Sequence, residues 1–532
     1  MPATYNKYKC EIVFPPETSE APAWEAPSDW IDISSIGSNE VNLLVKEGSG
    51  IAFTVTVSGT FSIDWGDGTI QTGRTSGVHQ HQHTTGGTPC SLGYNTWKVR
   101  IYGAAADITA FRISRHSYTL NIQYSPVLSA VLNVPGVSDY SYCFSSATYD
   151  LYCKSMLSCE IKSFRDASTM AYMFNHCNAL ASVTLPDTWG NVSATATYMF
   201  QYCYNLTSVK LPASFGSVSQ STYMFSNCFA LTSVTGLTSW GSCQNAMYMF
   251  EKCYKLTTFS LPDSWGSVTN ASYFFYNCYS LASVTLPTSW GSVNTALAFF
   301  YTCQALDGVI LPSSWGSITS LNYFFQSCYA LSSIVLPSSW GNVNSISGMF
   351  QNCFKLSSVN FPASWGSITN TTYLFGQCNG LTTITMPTAL GSALANASNT
   401  FLSCYNLKTI VNFEFIGSNT VQCNLQGIVK DCDFLQSAIS NGSKISEFGL
   451  GASNTNKSKI TSVRLTNPGS TFLGSFPHVD VSYSDLSIAA LNLLFGDLPT
   501  VSGGQYIKIT GCTGAAGCTR SIATAKGWTV TG

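Results

Sequence analysis

Apolar and polar positions follow one pattern that recurs through the middle of the chain. In one copy, Phe275, Cys278 and Leu281 fall three residues apart, which predicts a tight helical turn with one stripe pointing inward. Val284 and Leu286 then fall two apart, which predicts a short strand with polar neighbours facing outward. A proline follows and ends the strand, because it has no backbone N–H to donate. Each copy therefore predicts one turn, one strand and one corner.

A cysteine marks the period of this pattern. The steps are 25 residues, or 26 at each end of the series, and the cysteines are Cys177, Cys203, Cys228, Cys253, Cys278, Cys303, Cys328, Cys353, Cys378 and Cys404. A period of this length is typical of a solenoid, because one coil cannot bury its apolar edge alone and stacked coils bury it together. We predict about twelve coils with a parallel strand ladder over residues 104–435.

The repeated pattern can be written aromatic-Phe-x-x-Cys-x-x-Leu-x-x-Val-x-Leu-Pro, as between Phe274 and Pro287. This pattern resembles the BspA-type leucine-rich-repeat surface proteins, and the resemblance covers more than half of the chain. Members of that family act mainly as adhesins or binding surfaces. The resemblance therefore implies recognition rather than catalysis, and it leaves the ligand open.

The regions on either side of the repeat have a different character. In residues 51–103, the segment IAFTVTVSGTFSIDWGDGT alternates apolar and polar residues before a glycine-rich turn. Its WGDGT turn resembles that of PKD-type β-sandwiches, which implies a small all-β sandwich over 51–103. Residues 1–50 predict an extended N-terminal arm or anchoring segment. Residues 436–532 predict an α/β cap, with a helical stripe at Ile488, Leu491, Leu494 and Phe495, because a terminal coil needs a polar cover.

Composition and charge exclude several classes of partner. Only 9% of the residues are charged, and 24 Lys and Arg against 26 Asp and Glu leave a formal net charge of −2. No basic cluster is present, so we expect no nucleic-acid binding. The longest apolar runs are only strand-length, so we expect no membrane insertion. The N-terminus MPATYNKYKCEIVFPPETSE lacks the basic head and apolar stretch of a secretory signal peptide.

The chain contains 20 cysteines. Without a signal peptide they do not predict a disulfide framework, and we expect those of the repeat to be buried free thiols that act as small hydrophobes. Zinc is not expected at them, because no CxxC pair accompanies them. Cys512 and Cys518 are the pair best placed to form a disulfide in an oxidising medium.

One aromatic residue directly after many of the repeat cysteines offers a candidate binding surface. These rings could stack on sugar faces or contact another protein, or they could only shield coil edges. The tyrosines proposed as ligand-binding are Tyr204, Tyr254, Tyr279, Tyr329 and Tyr405. The tryptophans of the repeat, by contrast, are expected to be structural.

The segment VHQHQH is the one constellation with metal-ligand character. On a strand, His79, His81 and His83 share a face, and a threefold fibre would bring such imidazoles together around a transition metal. The alternative is an exposed polar strand or loop. The Asp64 and Asp67 pair is explained by turn chemistry rather than by calcium.

We find no catalytic signature, because no potential nucleophile or acid is paired with a residue that could activate it. We therefore expect no enzyme activity and no cofactor. Of the function classes that remain, we favour a virion surface protein that attaches to a host receptor or glycan. It would be docked through its N-terminal region to other virion proteins, and it would act as a homo-oligomer, with a trimer as one option. The alternatives are a BspA-type adhesin on a bacterial cell surface, or a purely structural subunit of a capsid or fibre.

Overall fold

The computed structural model of the protein describes residues 26–47, 50–84, 86–104, 106–113, 125–145, 153–189, 195–387, 393–412, 423–441, 445–452, 458–466 and 479–532. The architecture is a leucine-rich-repeat solenoid of about 14 turns with parallel strand ladders, preceded by a β-rich N-terminal region. The predicted fold class is therefore confirmed. The number of turns is slightly larger than the predicted count.

Two packed sheets form the N-terminal region. Its strands are β1 (Glu40–Lys46), β2 (Ile51–Val57), β3 (Phe61–Asp64), β4 (Ile70–Arg74), β5 (Gly77–His81), β6 (Thr88–Pro89), β7 (Asn95–Tyr102), β8 (Ile108–Ile113) and β9 (Val127–Asn133). One sheet has the order β4-β3-β7-β1-β9, with β6 also on β7, and the other has the order β5-β2-β8. Phe53, Trp65 and Phe111 are fully buried in the shared core.

One short strand per coil follows through the solenoid. These strands are β10 (Ser158–Ile161), β11 (Ser182–Thr184), β12 (Ser208–Lys210), β13 (Ser233–Thr235), β14 (Thr258–Ser260), β15 (Ser283–Thr285), β16 (Gly308–Ile310), β17 (Ser333–Val335), β18 (Ser358–Asn360), β19 (Thr383–Thr385) and β20 (Thr409–Val411). Paired strands are parallel and keep the repeat register, so that Val284 lies between Phe259 and Val309. The central residue of each strand points inward, as the alternation predicts.

Strand β9 joins the two regions, because it pairs antiparallel with β1 and parallel with β10. The N-terminal sheet therefore continues directly into the solenoid ladder. Sequence analysis placed β1 in an extended arm over residues 1–50. Instead β1 lies inside the sheet, because Val41, Leu43 and Val45 alternate inward and are fully buried. Strand β8 extends the sheets beyond residue 103, and residues 1–25 lie outside the described residues.

The predicted helical turn before each strand is a pair of tight turns rather than an α-helix. Tyr273 and Asn277 have φ of 58° and 61°, in the left-handed region. Within the coil, the N–H of Cys278 binds the carbonyl of Phe275. The N–H of Phe275 binds instead the carbonyl of Phe299 in the next coil. A regular helix cannot form here, because alternate N–H groups are committed to the neighbouring coil.

The interior of the solenoid is a set of stacked columns. The inner ladder consists of one phenylalanine per coil, with ring centroids 5.2–5.7 Å apart, and its members are Phe144, Phe174, Phe200, Phe225, Phe250, Phe275, Phe300, Phe325, Phe350, Phe375 and Phe401. A second column contains Trp189, Trp240, Trp265, Trp290, Trp315, Trp340 and Trp365, all of them buried, which confirms their structural role.

The repeat cysteines are buried free thiols, as predicted. They also have a role that the sequence did not indicate, because each donates a hydrogen bond to the previous coil. The Sγ of Cys278 lies 3.0 Å from the carbonyl oxygen of Phe250, and the Sγ of Cys303 lies 3.2 Å from that of Phe275. A thiol is thus small enough for the column and still satisfies a backbone acceptor.

The C-terminal elements are β21 (Cys423–Leu425), β22 (Ser437–Asn441), β23 (Ile445–Gly449), β24 (Ser462–Thr466), β25 (Val479–Asp480), α1 (Ile488–Asp497), β26 (Tyr506–Lys508), α2 (Ser521–Thr524) and β27 (Thr529–Thr531). Parallel pairing continues in the order β21-β23-β25-β26-β27. The hydroxyl of Ser487 caps α1 by accepting a hydrogen bond from the N–H of Ala490. Leu491, Leu494 and Phe495 are buried as predicted, whereas Ile488 is exposed at the start of the helix.

Candidate functional site

A second aromatic column lies on the outer surface of the same turns. This outer ladder begins with six tyrosines whose neighbouring rings stack with centroids 4.5–5.0 Å apart, namely Tyr142, Tyr172, Tyr198, Tyr223, Tyr248 and Tyr273. Each occupies a left-handed backbone position with φ of 56–59°. That conformation costs about 1–2 kcal/mol for a residue with a Cβ, and ring stacking and hydrogen bonds between coils offset the cost.

The outer ladder is interrupted after Tyr273. The next coil has Ala298 at the equivalent position, and Tyr323, Gly348 and Tyr373 follow. A Cβ at Gly348 would lie 2.6 Å from Cδ1 of Tyr323, so the Tyr323 ring lies over that glycine. The outer ladder therefore has no ring of its own at the Ala298 position, between Tyr273 and Tyr323.

Four of the five tyrosines predicted to bind a ligand, all except Tyr405, belong to a third column of stacked rings, the post-cysteine ladder. Tyr204, Phe229, Tyr254 and Tyr279 stack with centroids 4.8–4.9 Å apart, and Phe354 continues the column beyond the next break. Because the ring faces cover one another, mainly ring edges meet solvent. A sugar could therefore stack only on a free ring face at the end of such a stack, and not on every ring as predicted.

One such end lies at Gln304, which separates Tyr279 from Tyr329. Among the described residues, no ring contacts the faces of these two tyrosines on the Gln304 side. Ala298 and Gln304 belong to the same coil. Both exposed aromatic columns are therefore interrupted at one level of the solenoid.

Tyr301 lies between the two breaks and stacks on Tyr276 with ring centroids 4.9 Å apart. The surface around these rings is a groove of about 470 Å³, which we call the tyrosine groove. It is lined by Tyr273, Tyr276, Ala298, Tyr301, Tyr323, Gln326, Gln351 and Tyr373. The groove is shallow and open to solvent, and its lining carries aromatic faces, phenols and amides without a charged side chain.

The phenols of the groove are close enough to interact electrostatically. Burial raises the pKa of Tyr301, and Tyr276, Tyr329, Tyr323 and Tyr273 raise it further. The Tyr301 phenol is consequently uncharged at neutral pH, where it can donate and accept a hydrogen bond. The groove thus offers neutral polar groups beside apolar ring faces.

The repeat pattern in the sequence does not by itself indicate this groove. The predicted binding positions were the aromatic residues directly after each repeat cysteine. The tyrosines that line the groove instead come five and two residues before a repeat cysteine. One signal in the sequence could have indicated it. Ala298 and Gln304, within one repeat, stand where neighbouring repeats carry an aromatic residue. Of the predicted positions, Tyr279 and Tyr329 border the break, and Tyr204, Tyr254 and Tyr405 lie on other coils.

The histidines of the N-terminal region are divided between two environments. His79 is buried, with Nε2 3.1 Å from the carbonyl oxygen of Thr75 and Nδ1 3.3 Å from Nη2 of Arg74. His81 Nε2 lies 2.6 Å from Oδ2 of Asp67. One potential ligand atom from each of Asp67, His81 and His83 lies within 4.8 Å of the others.

The carboxylate of this cluster is strongly held in its charged form. Partial burial raises the pKa of Asp67, but hydrogen bonds from His81 and Thr69 outweigh that effect and lower the pKa to about 2. Burial lowers the pKa of His83 and of His79. The geometry therefore groups Asp67 with His81 and His83, and it leaves the predicted ligand His79 with other partners.

Comparison with known proteins identifies the repeat. A family model described as "BspA type Leucine rich repeat region (6 copies)" matches residues 146–281, 244–373 and 297–424, which together are more than half of the chain. No curated protein sequence matches the chain. Among the described residues, no helix has the length and apolar character needed to cross a bilayer.

Solved structures also match. The pneumococcal vaccine antigen PcpA is 16% identical, with 66% of this chain and 78% of that chain covered and a TM-score of 0.36. A leucine-rich repeat protein from Eubacterium ventriosum ATCC 27560 is 17% identical, with 48% of this chain and 79% of that chain covered and a TM-score of 0.24. The resemblance of the N-terminal region to PKD-type sandwiches stays a prediction. On the repeat pattern, the coil geometry and the family model, the chain belongs to the BspA-type leucine-rich-repeat proteins.

Proposed function

We propose that this protein is a non-enzymatic surface protein that binds an uncharged glycan in the tyrosine groove. The observation that carries the proposal is the coincidence of two breaks, at Ala298 and Gln304, in one coil of otherwise stacked aromatic columns. Repeats of this family are generally non-catalytic and typical of cell-surface or extracellular proteins.

The dimensions of the break suit one ring of a ligand. Tyr273 and Tyr323 are two coils apart, which at about 4.8 Å per coil is roughly 9–10 Å. The missing outer ring at Ala298 therefore leaves a space of about one ring thickness beside Tyr301. A sugar ring presents C–H groups to the faces of aromatic rings, while its hydroxyls can exchange hydrogen bonds with phenols and with the amides of Gln326 and Gln351.

The absence of charge in the lining favours a neutral ligand over an acidic one. An acidic glycan would require a cationic partner to offset the loss of water around its carboxylate. None of the lining residues is Lys, Arg or His. Binding of a neutral glycan should consequently depend little on salt concentration.

Family membership supports the cell-surface alternative more strongly than the virion attachment protein that we favoured from the sequence. On a cell surface, many copies of a weak site raise the effective concentration of later contacts. A shallow groove suits such multivalent attachment, because each single contact contributes little.

The test fills the breaks with the rings that neighbouring coils carry. The full chain and the variants Ala298→Tyr, Gln304→Tyr and the double variant are applied to an array of neutral oligosaccharides, and the affinity for each bound sugar is measured by calorimetry. We expect Ala298→Tyr, alone and in the double variant, to lose binding, because its new ring occupies the groove. Ser283→Tyr is the matched control, since it adds a ring to an exposed strand position away from the groove.

Two results would contradict the proposal. One is a wild-type chain that binds no neutral oligosaccharide but binds a proline-rich peptide, which is a different ligand class for an aromatic groove. The other is a double variant that binds sugars as tightly as the wild type. Tyr276→Ser and Tyr323→Ser remove rings of the lining and should weaken binding, whereas Tyr204→Ser lies outside the lining and should leave it unchanged.

A further inference from the structure

The N-terminal region contains a cluster of ligating side chains that the tyrosine groove does not involve. Asp67 lies in the turn between β3 and β4, while His81 ends β5 and His83 follows it. Folding brings their ligand atoms within 4.8 Å of one another, although the carboxylate and the first imidazole are 14 residues apart in the chain. Two imidazole nitrogens and one carboxylate oxygen are a donor set that suits zinc.

A second, independent observation concerns His83. This residue is only 9% exposed, and its Nε2 lies 2.7 Å from the carbonyl oxygen of Trp65. Since a carbonyl can only accept, Nε2 carries the proton, and Nδ1 is then an unprotonated acceptor. That buried Nδ1 has no hydrogen-bond partner among the described residues. A buried lone pair without a donor is costly unless something occupies it.

This arrangement is also the one found around metal-bound histidines. An imidazole that ligates through one nitrogen usually donates its other N–H to a carbonyl or carboxylate, which fixes the tautomer and orientation of the ring. Both imidazoles are further held by indoles. The His81 ring stacks on Trp65 with centroids 4.8 Å apart, and the His83 ring stacks on Trp97 with centroids 4.6 Å apart.

We propose that Asp67, His81 and His83 form a binding site for a divalent transition metal, with zinc as the favoured ion. Zn–N and Zn–O distances of about 2.0–2.2 Å place tetrahedral ligand atoms about 3.3–3.6 Å apart. Asp67 and His81 would separate slightly from their present 2.6 Å contact, and His83 would approach them. Three protein ligands leave the fourth position for water.

The site is complete within one chain. Sequence analysis proposed that His79, His81 and His83 would meet on the axis of a threefold fibre. In the structure both ring nitrogens of His79 contact Thr75 and Arg74, so Asp67 replaces it as the third ligand. Metal binding therefore requires no oligomer.

The experiment uses the full chain with Cys10 and Cys518 replaced by serine, because solvent-accessible thiols would also bind zinc. Cys518 is partly exposed, Cys10 lies outside the described residues, and the other 18 cysteines are buried. After removal of metal with a chelator, zinc binding is measured by calorimetry at pH 7.5, and cobalt binding by visible absorption. We expect one ion per chain and a tetrahedral cobalt spectrum.

The variants separate the two possible ligand sets. Asp67→Asn and His81→Gln should each weaken zinc binding by about tenfold or more. Asp67→Asn retains the Oδ1 acceptor that caps the N–H of Thr69, so the turn should still fold. His79→Gln is the control, and we expect its zinc affinity to change by less than about twofold.

Any of three results would overturn the proposal. The first is a wild-type chain that binds no zinc at a ratio of one to one. The second is a His79→Gln variant that weakens binding as much as His81→Gln. The third is unchanged zinc affinity in Asp67→Asn. Because His79 is itself buried, the circular dichroism spectra of His79→Gln and His81→Gln must match that of the wild type, so that a change in affinity reports the loss of a ligand rather than unfolding.

Discussion

The inner phenylalanine ladder and the outer tyrosine ladder run along the same turns with almost the same stacking, yet they tolerate change very differently. The inner ladder has a ring in every coil from Phe144 to Phe401. The outer ladder loses its ring at Ala298 and at Gly348. A missing inner ring would leave a cavity in a closed core, whereas a missing outer ring leaves a groove that water or a ligand fills. Variation in the outer columns can therefore create a site at little cost in stability.

The largest expected effect concerns the thiols beside the inner ladder. Burial raises the pKa of the repeat cysteines, to about 12 for Cys404. Unfolded thiols titrate near 8.5, so above that pH the unfolded chain loses protons that the folded chain keeps. The stabilisation is thus complete below about pH 8.5 and declines as pH rises, by up to about 1.4 kcal/mol per pH unit for each buried thiol.

This alkaline loss can be measured by urea unfolding under reducing conditions between pH 7.5 and 9.5. The control is Cys278→Ala, which should reduce the slope of unfolding free energy against pH by about one thiol's contribution. A free energy that is flat across this pH range would show that the thiols are accessible to water in the folded protein.

The second effect is the loss of one inner ring. Phe275→Ala should lower the free energy of unfolding by about 3–5 kcal/mol, because this fully buried ring packs between Phe250 and Phe300. Denaturant melts provide the measurement. Ser283→Ala, on the exposed strand position, should remain within about 0.5 kcal/mol of the wild type. Equal losses in the two variants would contradict the assignment of inner and outer faces.

The third effect is the loss of one outer ring. Tyr223 stacks between Tyr198 and Tyr248 but is half-buried rather than enclosed. Tyr223→Ala should therefore cost only about 0.5–1.5 kcal/mol, which is the contribution typical of an aromatic pair. A loss as large as that of Phe275→Ala would mean that the outer ladder is part of the core, and it would weaken the argument for a binding surface.

The smallest effect is expected from adding a ring. Ala298→Tyr places a tyrosine at a left-handed position like those of Tyr273 and Tyr323, so its stability should stay within about 1 kcal/mol of the wild type. Thermal melts check this directly. A much larger destabilisation would show that the space beside Ala298 cannot hold a ring, and the tyrosine groove could then not hold a sugar ring either.

The sequence by itself determined the repeat and its faces. Because the apolar positions recur with one period, only one register buries Phe275, Cys278 and Leu281 in every coil, and all three are fully buried. The same reasoning identified the structural tryptophans and the free thiols. Such positions are predictable because each depends on local spacing and on identical neighbours above and below.

Tertiary structure alone decided the features that depend on contacts between different segments. The turns before each strand contain left-handed residues because alternate N–H groups bind the next coil, which local spacing does not reveal. Strand β1 lies inside the sheet because it pairs with β7 and β9, which come much later in the chain. Likewise Asp67, rather than His79, meets His81, because the pairing of β3 with β4 and the end of β5 place the turn beside that ring. The tyrosine groove arises in the same way, since Tyr273, Ala298 and Tyr323 belong to different coils and line one surface only when the coils stack.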